Sequence, residues 1–215
     1  MKLKGEKLEV VDETKLLGTI ITKDLKWNKN TQMIVKNANA KMRMLHIASK
    51  FVSNKQDLLH LYKTFVRSRL EYSCVIWHSS LTQNNINDIE RIQNSAVKMI
   101  LKSEYRDYDS ALKTLNIESL YNRREKLCLS FAKKCLKVEN MKKLFPLKQK
   151  KHSMMKRKNE KYLLNNVNTE RYKRSAIPFM KELLNKEELT IKSALKSVSN
   201  GTREHCFFNS ISVKI

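Results

Sequence analysis

The segment Leu70–Ser80, LEYSCVIWHSS, places a histidine and three serines beside a cysteine and two large aromatic residues. Nucleophilic catalysis needs a serine and a histidine base that meet in space, with an acid that orients the base. His78, Ser79 and Ser80 are consecutive, and consecutive side chains point apart on both strands and helices. The segment also lacks a Gly-x-Ser-x-Gly turn. It is therefore predicted to close a helical hairpin by burying its large side chains, which are Tyr72, Val75, Ile76 and Trp77.

The remaining polar residues do not indicate metal or phosphoryl-transfer chemistry. The 5 histidines show no HxxxH or HExxH spacing, and no two aspartates are adjacent to hold a pair of metal ions. Asp107 and Asp109 stand close together in RDYDS and are predicted to begin a helix, where acidic side chains are favoured. No metal or other cofactor is therefore expected for this chain.

The cysteines, Cys74, Cys128, Cys135 and Cys206, form no CxxC pair. Neither a zinc site nor a disulfide framework is therefore indicated. Cys128 and Cys135 lie two helical turns apart on an apolar face and are predicted to be buried core thiols. We expect reduced thiols in an intracellular protein, either nuclear or cytoplasmic.

Basic residues near aromatic residues are the candidate binding residues. Basic side chains neutralise phosphates, and aromatic or guanidinium planes stack on nucleic-acid bases. The candidates are Arg67 and Arg69 near Tyr72, Arg123 and Arg124 near Tyr121, and Lys156, Arg157 and Lys158 in a basic stretch. The alternative stays open that the aromatic rings are core and the basic side chains form a solvated face.

The whole chain is basic, with 44 Lys and Arg against 21 Asp and Glu and a net charge of +23. This excess indicates a polyanionic partner, either nucleic acid or an anionic membrane surface. No apolar run approaches the roughly 20 residues that span a bilayer, so no membrane-spanning segment is expected. The stretch Met1–Val10 also lacks the apolar run of a signal peptide.

These side chains need a scaffold, and the composition predicts a helical one. Hydrophobic residues make up 41% of the chain, with only 3 Gly and 2 Pro. The β-like pattern is confined to the first two dozen residues. There, the segment 4–6 predicts a hairpin turn, Leu16–Ile21 predicts a strand that contains Gly18, and Trp27 is predicted to pack back as an apolar plug.

From Thr31 the apolar residues follow a helical period. The first predicted helix buries a stripe of Ile34, Ala38, Met42, Leu45 and Ala48. Further helices are predicted after a capping box at Ser53–Gln56, then over about 85–102, 108–115 and 117–136. We expect Phe65, Leu70, Tyr72 and Trp77 to be largely buried. Two last helical stretches are predicted at Ile177–Leu184 and Leu189–Val198.

Four segments in order resemble the C-terminal part of the reverse transcriptase of jockey-like non-LTR retrotransposons. KLLGTIITKDLKW is similar to the family's K-Y-L-G … L-x-W segment near the end of the palm. LLHLYKTFVRSRLEYSCVIWHSS resembles LY-x-S-x-V-R-P-x-L-E-Y-x-x-x-x-W. IERIQNSAVKMI and YDSALKTLNIESLYNRREKL resemble the two segments that follow. The match covers Gly5 to roughly Leu136, with Leu16, Ser68, Lys98 and Ala111 as departures from the family pattern.

The resemblance implies the end of the palm, then the thumb, with the catalytic part lying upstream. It predicts a mainly α fold, with a β element over 1–30, a helical thumb-like bundle over 31–138, a basic and partly disordered linker over 139–175, and a helical segment with a tail over 176–215. The implied role is to hold a template–primer duplex of RNA or RNA–DNA hybrid. The implied partner is the upstream polymerase part, and the full-length polymerase is expected to use Mg²⁺.

The family's aromatic-x-Asp-Asp motif has no counterpart in this sequence, so the chain is not expected to polymerise alone. Two alternatives stay open. One is a non-enzymatic, basic helical protein that binds nucleic acid or a protein partner. The other is an inert transposon remnant.

Overall fold

The computed structural model describes the backbone of residues 2–3, 6–7, 9–147, 161–164 and 169–209, and the side chains of residues 9–147, 161–164 and 169–193. The chain divides into two compact units, Met1–Cys128 and Leu129–Ile215. Short antiparallel strands open the first unit, and helices follow in both units. The predicted mainly α fold class, with a small N-terminal β element, is therefore confirmed.

Two short hairpins begin the first unit. Strand β1 (Lys2–Leu3) pairs with β2 (Glu6–Lys7), which confirms the first predicted hairpin. Strand β3 (Glu13–Leu16) pairs with β4 (Thr19–Thr22) through a two-residue loop in which Leu17 and Gly18 have φ values of 46° and 84°. Two positive φ values define the turn type that matches strand twist. The prediction of one continuous strand over Leu16–Ile21 is therefore wrong, because the chain reverses at Gly18.

Helix α1 (Asn28–Phe51) packs its apolar stripe into the core. Ile34, Ala38, Met42 and Leu45 are buried, and so is Trp27 immediately before the helix, as predicted. The buried side chain of Asn30 accepts a hydrogen bond from the backbone N–H of Ile20 at 3.1 Å. This bond fixes β4 to the first turn of α1.

A second helical run contains three parts, α2 (Lys55–Leu61), a π-helical segment (Tyr62–Arg67) and α3 (Ser68–Glu71). Asn54 caps this run, because its side chain accepts a hydrogen bond from the backbone N–H of Gln56 at 2.9 Å. The predicted capping box at Ser53 is therefore wrong by one residue. An amide side chain satisfies the first free N–H groups of a helix as well as a serine does.

The π-helical segment decides which predicted core residues are buried. A π-helix has more residues per turn than an α-helix, so positions four apart keep one face. Tyr62, Val66 and Leu70 are all buried on that face. Phe65 turns away from it and is 41% exposed, so the predicted burial of Phe65 is wrong.

The segment Leu70–Ser80 forms a tight corner between helices. Ser73 has a left-handed backbone, with φ of 53°, between α3 and α4 (Cys74–Trp77), and a 3₁₀ turn follows (His78–Ser80). Trp77 is fully buried, as predicted. Tyr72 is 53% exposed and Ile76 is 48% exposed, so their predicted burial is wrong. The hydroxyl of Tyr72 donates to the carbonyl of Leu17 at 2.7 Å, which draws the ring over the β3–β4 turn instead of the helical core.

The first unit is completed by α5 (Gln83–Leu101), a 3₁₀ turn (Lys102–Glu104), α6 (Tyr108–Thr114) and the first part of α7 (Leu120–Cys135). Gln93, buried on α5, accepts a hydrogen bond from the Tyr62 hydroxyl at 2.6 Å and donates to the Tyr108 hydroxyl at 2.8 Å. This amide ties three helical elements together in the core. Asp107 caps α6 by accepting from the Ser110 backbone N–H at 2.9 Å, so the predicted helix start is confirmed.

The second unit holds α8 (Glu139–Lys142), α9 (Glu170–Lys173) and α10 (Ala176–Asn209). Helix α10 is continuous where two separate stretches were predicted. Residues between those stretches include Glu188, which lies 3.5 Å from Lys192 one turn later, and such pairs support a helix. Asn185 of α10 accepts hydrogen bonds from the backbone N–H groups of Lys161 and Tyr162.

Candidate nucleic-acid interface

Arg67 and Arg123, two of the candidate contacts, converge on one carboxylate. Glu71, the last residue of α3, accepts a hydrogen bond from Nε of Arg123 and lies 3.7 Å from Nε of Arg67. Burial and the neighbouring Arg123 lower the pKa of Arg67. The Arg123 side chain remains 37% exposed, whereas that of Arg67 is 15% exposed. The Glu71 carboxylate thus faces the two cations Arg67 and Arg123, and this group of three side chains keeps a net positive charge.

Arg124, the third candidate, is a core residue. Its side chain is fully buried, its Nε donates to Nδ1 of His78 at 3.2 Å, and its guanidinium lies 5.7 Å from the centre of the Trp77 ring. The two terminal nitrogens have no hydrogen-bond partner among the described residues. Burial lowers the pKa of Arg124. A guanidinium in this position does not reach a phosphate at the surface, so the structure does not support Arg124 as a contact.

His78 is held neutral by the same arrangement. Burial, followed by the positive charge of Arg124, lowers the pKa of His78 to about 3. The ring of Tyr121 meets the His78 ring edge-on with centroids 4.9 Å apart. His78 therefore acts as a buried acceptor for Arg124, and the segment Leu70–Ser80 is a core element, as the sequence predicts.

Arg69, the fourth candidate, is exposed on α3 and forms no ion pair within the part of the chain that the structure describes. Tyr72, which follows three residues later, is also half exposed. This basic–aromatic neighbourhood therefore lies at the surface. Lys156, Arg157 and Lys158 lie outside the described residues, and their predicted contribution stays a prediction.

The structure adds a basic surface that was not among the candidates. Helix α1 contains five basic residues and no acidic residue. Lys36, Arg43 and Lys50 recur every seven residues, are all exposed, and form no ion pair with another described residue. Seven residues make nearly two turns, so these cations lie along one line at intervals of about 10 Å. We name these three residues the α1 cationic line.

An apolar stripe runs beside the α1 cationic line. Met44, Ile47 and Phe51 are 47%, 57% and 82% exposed, and their spacing of three and four residues places them on one face. The sequence alone shows that Asn28–Phe51 contains no Asp or Glu. It does not identify the exposed line of cations, because that requires the helix boundaries and the position of the buried face.

No protein-family model, no curated protein and no solved structure matches this chain. Among the described residues, no group of three or more His, Cys, Asp and Glu side chains is arranged to hold a metal ion. Within the same residues, no helix combines the length and apolar character needed to cross a membrane.

Proposed function

We propose that this chain binds RNA or an RNA–DNA hybrid duplex weakly and without sequence preference, by its phosphate backbone. The observation that carries the proposal is the α1 cationic line, an exposed row of three cations on a helix without a carboxylate. Each cation that neutralises a phosphate releases condensed counterions, which drives binding irrespective of base sequence. Arg69 and Arg123 add exposed positive charge elsewhere on the first unit.

The shape of the surface favours contact with a backbone over contact with base edges. A helix face with cations about every two turns matches a regular row of phosphate charges. Duplex RNA and hybrids are recognised mostly by shape, phosphates and 2′-hydroxyls, because their deep groove does not admit side chains. In a reverse transcriptase, the corresponding role is that of a thumb that holds the template–primer duplex, and we propose this inherited role on the strength of the sequence resemblance.

The test compares two variants with the same loss of charge. K36Q/R43Q/K50Q removes the α1 cationic line, and K102Q/R106Q/K113Q removes three exposed basic residues around α6. Fluorescence anisotropy with a labelled hybrid duplex at low salt should show a clear loss of affinity for the first variant and a small loss for the second. Equal losses would mean that only the net charge matters, and the proposed interface would be wrong.

A second candidate function is binding of a protein partner, and the apolar stripe on α1 favours it. Exposed Met and aromatic side chains at helical spacing are common in surfaces that another protein covers. Replacing Met44, Ile47 and Phe51 by Ser should leave nucleic-acid affinity nearly unchanged if the stripe serves a protein partner. An absence of any nucleic-acid binding by the unaltered chain would favour this second function or an inert remnant.

A further inference from the structure

The exposed apolar stripe of α1 belongs to a longer pattern on the face that points away from the core. The pattern alternates steps of four and three residues and contains Met33, Asn37, Ala40, Met44, Ile47 and Phe51. Met33 is half-buried and the others are exposed. Apolar residues in alternating steps of three and four are the pattern of the a and d positions of a coiled coil. We name these residues the outer stripe.

The α1 cationic line follows one edge of the outer stripe. With Asn37, Met44 and Phe51 as the a positions of the heptad, all three residues of the α1 cationic line occupy g positions. The g positions of a coiled coil face charged residues of the partner helix and decide which partner is accepted. All three cations are exposed, so they are open to carboxylates of a second helix.

These charges disfavour a second copy of this chain as the occupant of the outer stripe. Antiparallel pairing of two copies would set the g positions of one helix against those of the other, so cations would face cations. Parallel pairing would set the g positions against the e positions, which are Ile34, Lys41 and Ala48 and supply no carboxylate. A helix that complements α1 therefore carries Asp or Glu along the edge that faces the α1 cationic line.

The narrowness of the outer stripe favours a helix over an anionic lipid surface. Helix α1 buries its opposite face in the core through Ile34, Ala38, Met42 and Leu45, so only a limited part of its circumference is open. A helix that lies in a membrane interface sinks a broad apolar face among the lipids. A stripe confined to the a and d positions is the narrower seam of a coiled coil.

We propose that the outer stripe binds an acidic amphipathic helix of a partner protein as a short two-stranded coiled coil. Apolar residues of the partner cover Met44, Ile47 and Phe51, and its carboxylates face the α1 cationic line. Asn37 is the polar residue of the seam, and a single Asn at an a position specifies the register of such a pair. The proposal rests on the second candidate function above and does not depend on duplex binding. The bound acidic helix covers the same cations and therefore competes with nucleic acid for α1.

The test uses a labelled synthetic peptide of about three heptads, with Leu at a and d, Asn at one a position and Glu at e and g. A peptide of the same composition in scrambled order is the control for net charge, and phosphatidylserine vesicles are the control for a lipid surface. Fluorescence anisotropy with the folded full chain should show binding of the heptad peptide at least about tenfold tighter than of the scrambled peptide. Equal affinity for the two peptides would overturn the proposal. Vesicle binding without a preference for the heptad peptide would assign α1 to a lipid surface instead.

Two matched triple variants locate the binding surface. M44S/I47S/F51S should weaken binding of the heptad peptide by about tenfold or more, because buried apolar anchors dominate such interfaces. V138S/M141S/L144S changes apolar residues of the second unit that are 52%, 45% and 44% exposed, and it should bind as the unaltered chain does. All six side chains are exposed, and circular dichroism checks that both variants remain helical. Equal affinities of the two variants would overturn the proposal.

A labelled hybrid duplex, measured on the same samples, separates this inference from the nucleic-acid function. Duplex binding without a preference for the heptad peptide would overturn the inference and leave the nucleic-acid function in place. Specific binding of the heptad peptide without duplex binding would support the inference and overturn the nucleic-acid function alone.

Discussion

Nε of Arg124 donates a hydrogen bond to Nδ1 of His78 at 3.2 Å, and both side chains are buried in the first unit. The pair joins α7 to the corner that follows α4. Its geometry requires a neutral imidazole, because a protonated His78 would have no lone pair to accept from Arg124 and would add a second buried cation.

Stability should therefore fall as the pH falls from 7 to 5. The pKa of His78 is about 3 in the folded protein, against an ordinary value of 6.5. The unfolded chain binds a proton below pH 6.5 and the folded chain does not, so the stabilising contribution is present above that pH and is lost on acidification. The expected loss is about 2 kcal/mol over that range. Urea unfolding at the two pH values measures it.

Matched histidine variants isolate this effect. H78Q should unfold with a much smaller difference between the two pH values than the unaltered chain, whatever its absolute stability. H60Q, which changes a histidine on the exposed face of α2, should keep the full difference. If H78Q and the unaltered chain lose the same free energy of unfolding, His78 is not the titrating group.

Trp77→Ala should be far more destabilising than Phe65→Ala. Trp77 is fully buried, and removal of such a side chain costs about 3–5 kcal/mol through lost transfer energy and a residual cavity. Phe65 is 41% exposed, so its truncation should cost clearly less, about 1 kcal/mol. Denaturant unfolding of the two variants gives the comparison. Equal costs would contradict the π-helical register that separates the two residues.

A structural feature could be predicted from the sequence when its cause lies within one element of secondary structure. The α1 stripe follows from a period within one helix, and Asp107 as a helix start follows from its own side chain, so both could be read correctly. The exposure of Phe65 could not be predicted, because the spacing of apolar residues does not distinguish a π-helical segment from an α-helix. The burial of Arg124 could not be predicted from the sequence either. It depends on Trp77 and His78, which are distant in the sequence and contact Arg124 only in the folded chain.

The chain should not extend a primer on its own. The sequence has no adjacent aspartates to hold two metal ions for phosphoryl transfer, and Asp107 already serves as the cap of α6. Primer extension on an RNA template with Mg²⁺ or Mn²⁺ should give no product above the level of buffer alone. Extension that disappears in D107N/D109N would show that RDYDS is a catalytic site and would contradict this prediction.

The salt dependence of binding to an RNA–DNA hybrid, measured for the unaltered chain and for K36Q/R43Q/K50Q, tests most directly whether α1 carries a phosphate interface. Each lost phosphate contact flattens the slope of log affinity against log salt by about 0.9 on B-form duplex, so the α1 variant should flatten it by about 2–3. The control K102Q/R106Q/K113Q should retain most of the slope. A slope that the α1 variant leaves unchanged, or binding that does not respond to salt, would contradict a phosphate interface on α1.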